Sequence, residues 1–497
     1  MIEFTTKLYS HQVKAVEKLK KIKVGALYME MGTGKTRTAL ELIKIRLEKG
    51  RINHVLWLCP CSVKESLKRD IIKHLNNFDD SIFTICGIET LSSSINVNTS
   101  LLELVKTKNC MLIVDESNMV KNHKAKRTKN IIRLGEDCKY KLILNGTPIS
   151  RNEADLYSQW YILDWRILGY KSFWSFSANH IEYDENTGRI RRCLNVKYLT
   201  EKIGPYSYQV KKDECLDLPP KTYETEYYYL THEQIVHYDN VADELMFEVD
   251  EMEPHTIYRL FTYLQDVISG YKVNIEKEEQ IEKYRDINDE IITKKRTKIK
   301  NITKNNFFND DIDNPRIKKL LEITDKLDIK AIIFCKYTSE IDSIVKILNL
   351  RYGDDSAVSF NGELNNKKRQ ENLYKFENKS QFLVANKQCG AYGLNLQFCS
   401  YVIYYSNDWD LATRSQSEDR VHRIGQVNNV HYVDICAAYT LDERILKCLE
   451  RKEKLVDSFK DELDKAKDKQ ELFDWISVKN NKRKKTIGID KSNLMEE

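Results

Sequence analysis

The sequence predicts an α/β protein built from two parallel-sheet units. Three observations carry that expectation. Over residues 1–150, short apolar runs alternate with stretches of helical periodicity, the pattern of a parallel sheet covered by helices on both faces. The same alternation returns at Asn314-Pro315. Between the two, residues 230–310 are dense in charge and follow a helical period.

In the first unit the strand candidates are Val24–Tyr28, His54–Leu58, Ile82–Cys86, Met111–Val114 and Lys141–Leu144. Met111–Val114 is the most apolar and is expected near the centre of its sheet. Leu156–Trp165 is aromatic and helix-like. Residues 166–225 are irregular, with Arg189, Arg191 and Arg192 clustered and Pro219-Pro220 breaking the chain. A basic run, Lys294, Lys295, Arg296, Lys298 and Lys300, fits solvated helices or a mobile insertion. The second unit offers Lys330–Cys335, Ala357–Phe360, Gln381–Val384, Tyr401–Tyr405 and Val430–Ile435. Leu441–Leu472 reads as helical, and the chain ends in a basic tail with Lys482, Arg483, Lys484 and Lys485. The expected organisation is a first lobe over 1–165, a charged and mainly helical insertion with the joining segment over 166–313, a second lobe over 314–450, and a helical, basic tail over 451–497.

A length of 497 residues allows several domains with large cores, and 41% hydrophobic content is that of a globular chain. The net charge of +5 does not by itself identify a nucleic-acid binder. Twelve cysteines are scattered without a Cys-x-x-Cys pair, which argues against a zinc framework or a disulfide scaffold and for reduced thiols in the cytoplasm. The N-terminus shows no signal-peptide pattern, and no apolar run is long enough for a membrane span.

Chemistry enters at Met31-Gly32-Thr33-Gly34-Lys35-Thr36, between an expected strand and an expected helix. Glycines let backbone N–H groups approach phosphates, and the helix N-terminus adds a positive field. Lys35 suits the β- and γ-phosphates of a nucleoside triphosphate, and the Thr36 hydroxyl suits Mg. Met29 stands where the strict pattern has glycine, so the motif is incomplete. Asp115-Glu116 leaves the apolar strand Met111–Val114; Asp115 is suited to orient Mg and Glu116 to position and deprotonate water. Gly146-Thr147-Pro148 ends another strand. Arg420 and Arg423 lie three apart, hence on one face if helical, and two guanidinium groups suit a transferring phosphoryl group.

The ordered set resembles the superfamily-two helicase motors, and more narrowly the Swi/Snf-type DNA translocases, over most of the chain. Leu8-Tyr9-Ser10-His11-Gln12 resembles the family's Q motif, which implies that Gln12 reads adenine. Gly32, Thr33, Gly34, Lys35 and Thr36 match motif I; Cys59-Pro60 and Ile88-Glu89-Thr90-Leu91 resemble motifs Ia and Ib. Asp115-Glu116 matches motif II, with Asn118 where His is usual, and Gly146-Thr147-Pro148 matches motif III. Lys212-Asp213 with Leu218-Pro219 and Lys221 looks like the segment joining the lobes. Ile332–Cys335 resembles motif IV. Gly390 and Gly393-Leu394-Asn395-Leu396 match motif V, with Gly393 at the nucleotide. Trp409 is followed by Asp410 where the family has Asn. Arg420, Arg423 and Gly425-Gln426 match motif VI.

The resemblance implies two RecA-like lobes of the P-loop NTPase kind, with ATP and Mg between them. Lobe one would supply Gln12, Lys35, Thr36, Asp115 and Glu116, and lobe two Arg420 and Arg423. The implied activity is a DNA-stimulated ATPase moving along duplex DNA, held through the phosphate backbone and away from membranes. A strand-separating or annealing helicase, an RNA helicase and a non-catalytic DNA scaffold would share most of these motifs.

Overall fold

The computed structural model describes residues 2–76, 79–147, 153–183, 190–246, 254–285, 291–387, 394–409, 411–451, 455, 458–459 and 469–476. Contacts divide the chain into two units. The first comprises Met1–Pro219, Gly390–Phe398 and Glu418–Val427; the second comprises Pro220–Cys389, Cys399–Ser417 and Asn428–Glu497.

The first unit holds Val24–Met29 (β1), His54–Cys59 (β2), Phe83–Gly87 (β3), Cys110–Val114 (β4), Tyr140–Asn145 (β5), Ile181–Tyr183 (β6), Ile190–Cys193 (β7) and Ser207–Val210 (β8). Six of these form a parallel sheet in the order β3-β2-β4-β5-β1-β8. Every residue of β4 is buried. Leu56, Leu58, Leu112 and Val114 pack into one core, while Val55, Trp57, Met111 and Ile113 pack into another. Adjacent residues therefore enter opposite cores. This is why β2 and β4 read as unbroken apolar runs rather than alternating ones.

The five strands expected here all form, and β4 lies inside the sheet. β8 is an addition: Ala26 pairs with Ser207 and Met29 with Val210, so a stretch read as irregular extends the sheet beyond β1. The antiparallel pair β6–β7 carries Arg191 and Arg192, and both donate to Glu182, at 3.1 and 2.7 Å. Arg189 lies outside the described residues. The helix expected over Leu156–Trp165 spans Asp155–Leu168.

The second unit holds Lys221–Tyr228 (β9), Tyr271–Arg285 (β10), Ile291–Asn306 (β11), Ala331–Cys335 (β12), Ala357–Phe360 (β13), Phe382–Asn386 (β14), Tyr401–Tyr404 (β15) and Val430–Ala437 (β16). Its parallel sheet runs β13-β14-β12-β15-β16-β9. The five expected strands form here too, and β9 adds an edge beside β16.

Helical periodicity was expected throughout 230–310. It holds for the helices His232–Met246 and Pro254–Ser269 but not beyond, where β10 and β11 pair as a long antiparallel hairpin. Val273 is buried, and Ile275 pairs with Ile302, both packed on the core. That period of two is hidden in the sequence by the surrounding Lys and Glu. The expected divisions at 165, 313 and 450 also differ from the observed units. Residues 166–219 join the first unit through β8, and 220–313 join the second through β9 and the two helices. The helical stretch expected over Leu441–Leu472 contains the helix Leu441–Arg451 and the start of Lys469–Ile476. The basic tail Lys482–Lys485 lies outside the described residues.

Candidate active site

The site is assembled within the first unit, at the C-terminal ends of β1 and β4. β1 runs into a loop with Gly32 at φ +81° and Gly34 at φ +87°, then into the helix Lys35–Glu48. Left-handed φ values at both positions are open to glycine and strained for other residues. The helix starts without a side-chain cap among the described residues, so its first N–H groups face the loop. Lys35 Nζ donates to Met29 O at 2.8 Å, folding the lysine back under the loop. Thr33 Oγ1 closes the loop on Glu30 O at 2.7 Å.

The helix Ser10–Leu19 braces this loop. His11 Nε2 lies 2.8 Å from Thr33 O, and Gln12 Nε2 donates to the same oxygen at 3.1 Å. Gln12 Oε1 accepts from Tyr9 N–H at 2.9 Å. The Gln12 amide is thus engaged with backbone on both sides. A Cβ at Gly34 would come within 2.1 Å of Gln12 Nε2, so a larger residue there, besides being strained by φ +87°, would push the Gln12 amide off the loop.

β4 delivers Asp115 and Glu116. Asp115 N–H donates to Leu58 O at 2.7 Å, and Glu116 N–H donates to Asp115 Oδ1 at 2.9 Å. Glu116 adopts φ 48°, a left-handed conformation unusual for a non-glycine residue and characteristic of functional turns. Burial, reinforced by the neighbouring Glu116 charge, pushes the Asp115 carboxyl up to about 7. Burial lowers Lys35, opposed by the charges of Glu116 and Asp115. Lysine and carboxylates therefore sense one another across a single desolvated space.

Arg420 shares that space. Burial lowers its guanidinium to about 10, with Arg423 acting in the same direction and Glu116, Asp419 and Asp115 opposing. Its Nε is buried and has no hydrogen-bond partner among the described residues. Arg423 donates to Asn395 Oδ1 at 2.6 Å and packs on the phosphate loop, where a Cβ at Gly32 would lie 2.8 Å from Arg423 Cβ. The two arginines were expected on one helical face. Arg420 instead lies in the last turn of the helix Leu411–Val421, and Arg423 belongs to the turn beyond it, shaped by Gly425 at φ +98°. Both lie between β15 and β16 in the chain, yet the segment that carries them clusters with the first unit rather than the second.

Thr36 is half-buried in the first helical turn, one residue after Lys35. Gly146 N–H is held by Asn145 Oδ1 at 2.9 Å, while Pro148, Gly390, Gly393 and Asp410 lie outside the described residues. Asn118 Oδ1 is buried without a partner among the described residues. For Mg, the available oxygen donors are Thr36 and Asp115. Among the described residues no group of three or more His, Cys, Asp or Glu could hold a metal ion. So sparse a donor set fits Mg, which keeps several waters and binds through one or two carboxylates together with substrate phosphates.

Three residues of the site carried no assigned chemistry in the sequence reading: Glu30, Lys212 and Asp419. The only prior sign was Lys212 in the stretch resembling a joining segment. The second unit has its own buried polar cluster. Lys387 Nζ donates to Asn407 Oδ1 at 3.2 Å, and Arg414 makes a two-pronged pair with Asp434 at 2.6 and 3.0 Å over the Tyr404 ring. Burial lowers Lys387 to about 7.

Residues 11–283, more than half of the chain, match the family described as SNF2-related domain. The chain belongs to that family. In this SNF2-related chain, residues 315–425 also match the helicase conserved C-terminal domain. It is 25% identical over 472 residues to a Bacillus subtilis (strain 168) protein named uncharacterized ATP-dependent helicase YqhH, covering 91% of this chain and 80% of that one. It is 23% identical to the lymphoid-specific helicase of Homo sapiens over 87% of this chain and 60% of the relative. It spans only 19% of the TATA-binding protein-associated factor mot1 of Schizosaccharomyces pombe. Among solved structures it is similar to the Sulfolobus solfataricus SWI2/SNF2 ATPase core in complex with dsDNA, at a TM-score of 0.39 and 21% identity, covering 90% of this chain and 92% of that one.

Proposed function

We propose that this SNF2-related protein is an ATP-driven DNA translocase, a motor that hydrolyses ATP while moving along duplex DNA. The observation that carries the hydrolytic part is the convergence of Lys35, Asp115, Glu116 and Arg420 on one desolvated space, with Arg420 Nε left without a partner. A buried cationic N–H without an acceptor is costly, and a transferring phosphoryl group is the acceptor such a site is built for.

Backbone N–H groups of the loop Gly32–Gly34 and the N-terminus of the helix Lys35–Glu48 hold the triphosphate, with Lys35 on the β- and γ-phosphates. Glu116, fixed in its left-handed turn, orients the attacking water and takes its proton. Arg420 and Arg423 stabilise charge on the transferring group. Thr36 and Asp115 would hold Mg, which when bound neutralises the phosphate charge that develops during transfer. Gln12 completes the nucleotide pocket, bracing the loop through its Nε2 as well as reading the base.

Duplex DNA as the track, gripped through its phosphates, is supported by the family and by relatives named ATP-dependent helicases. The expected lobes at 1–165 and 314–450 remain our reading of the motor's two working halves, the first extended by 166–219 through β8 and the second by 220–313 through β9. An intracellular, reducing compartment is supported by the free thiols among the described cysteines. Among the described residues no helix is long and apolar enough to cross a membrane.

Phosphate release should be measured without nucleic acid and then with single-stranded DNA, duplex DNA, forked DNA and RNA, beside a triplex-displacement assay. Duplex DNA is expected to stimulate hydrolysis most and to support third-strand displacement. Stimulation by RNA alone, or strand separation on forks without triplex displacement, would replace this reading with one of the helicase alternatives.

A further inference from the structure

We propose that Lys212 is a positioning residue for hydrolysis, fastening the arginine-bearing turn to the phosphate loop. This rests on the ATPase reading above. Lys212 is buried, and it reaches the site through two atoms that make three contacts. Its backbone N–H donates to Glu30 Oε2 at 2.7 Å, and Glu30 opens the phosphate loop. Its Nζ donates to His422 O at 2.9 Å and makes a short ion pair with Asp419. Asp419 and His422 bracket Arg420 and precede Arg423. One lysine therefore joins the residue at the start of the loop to the turn that presents both guanidiniums.

The surroundings say why a cation is needed there. Asp419 acts electrostatically on Lys35, Arg420 and Arg423 as well as pairing with Lys212. A carboxylate among four cations has several geometries open to it. Lys212 selects one, and in that geometry Arg420 Nε stays free of protein partners among the described residues. Without Lys212, Asp419 is free to turn to the arginines and compete with phosphate for them. The turn's other fastenings include Leu396 N–H to Arg420 O at 3.1 Å, His422 Nε2 against Pro219 O at 2.8 Å and Arg423 on Asn395 Oδ1 at 2.6 Å. They hold the backbone of the turn, whereas Lys212 Nζ is bonded to the Asp419 carboxylate itself. Lys212 touches neither nucleotide nor water in this scheme; it acts through the arginines.

The test is steady-state ATP hydrolysis of the full chain with saturating duplex DNA, for Lys212→Met, Lys212→Arg, Asp419→Asn and the Lys212→Met/Asp419→Asn double variant. Melting temperature is measured alongside. Lys212→Met is expected to lower kcat on the order of 10²-fold, the cost of a misplaced catalytic group. KM for ATP should stay within about 3-fold, because arginines that act in the transition state contribute little to ground-state binding. Lys212→Arg should recover most of the loss, and the double variant should be no slower than Lys212→Met alone, as expected for partners in one interaction.

Unchanged kcat in Lys212→Met overturns the proposal. So does a double variant slowed by the product of the two single effects. So does a loss of the melting transition shared by Lys212→Met, Lys212→Arg and Asp419→Asn, which would mark a purely structural anchor. A wild-type chain that hydrolyses no ATP removes the motor reading and this proposal with it. A wild-type chain that does, beside an equally fast Lys212→Met, removes this proposal alone.

Discussion

The two units share a six-stranded parallel sheet, but they finish the same strand-to-helix junction in opposite ways. In the first, β1 passes through Gly32 and Gly34 to a helix whose N-terminus has no side-chain cap among the described residues. In the second, β12 passes through Lys336 and Tyr337 to the helix Thr338–Tyr352. There Glu340 Oε2 accepts from the N–H groups of both Lys336 and Tyr337 at 3.2 Å, and from Ser406 Oγ at 2.6 Å. A helix N-terminus draws an anion in either case. The second unit fills that place with its own carboxylate, while the first leaves it to a ligand. One fold thus yields an open glycine loop, proposed above as the phosphate site, or a sealed structural junction, depending on whether a glycine loop or a glutamate follows the strand.

Three substitutions would break or sharpen that contrast. The largest effect is expected from Lys35→Ala, which should cut DNA-stimulated phosphate release by at least about 10³-fold. The melting temperature should barely change, since the hydrogen bond Lys35 Nζ makes among the described residues is to the backbone oxygen of Met29. Near-normal turnover would show that the open helix end is not the phosphate site.

The second is Glu340→Ala. It takes the acceptor from Tyr337 N–H and from the Ser406 hydroxyl, while Lys336 N–H keeps Ser406 Oγ at 2.7 Å, and it should destabilise the protein by about 1–3 kcal/mol in denaturant melts with nucleotide affinity unchanged. A loss of ATP binding with unaltered stability would mean that the sealed junction is not merely structural.

The smallest concerns Lys387. Its folded pKa of about 7 lies below its ordinary value of 10.5, so the folded chain binds fewer protons than the unfolded one between those pH values. This contribution makes stability rise with pH through that window. Lys387→Met should therefore raise the melting temperature at neutral pH by about 2–4 °C, with the gain shrinking as the pH approaches about 10. A lower melting temperature at neutral pH would show that the amine is net stabilising beside Asn407 and Asp434.

Much of this architecture was legible in the sequence because it depends on local pattern. Ten parallel strands stood out because most of their residues are buried and so appear as short apolar runs. β8 and β9 did not: both are sheet-edge strands with exposed residues, and Thr222, Tyr223 and Glu224 in β9 look like loop. The β10–β11 hairpin was hidden in the same way, its few apolar positions diluted by Lys and Glu. At the site, Lys35, Thr36, Asp115, Glu116, Arg420 and Arg423 could be named from motif and residue chemistry. One expectation differs from the structure, since the arginines do not share a helical face, and Gln12 has a bracing contact the motif did not announce, its Nε2 on the phosphate loop and its Oε1 on Tyr9 N–H.

The sequence alone therefore determined which groups exist to grip a triphosphate, because glycine freedom, lysine charge and strand-end carboxylates are properties of residues and their near neighbours. The tertiary structure alone decided that Arg420 and Arg423, set in the chain between β15 and β16, cluster with the unit that bears Lys35. It also decided that Lys212 holds them there. Those facts rest on contacts between residues roughly two hundred positions apart in the chain, where no local period or spacing leaves a trace.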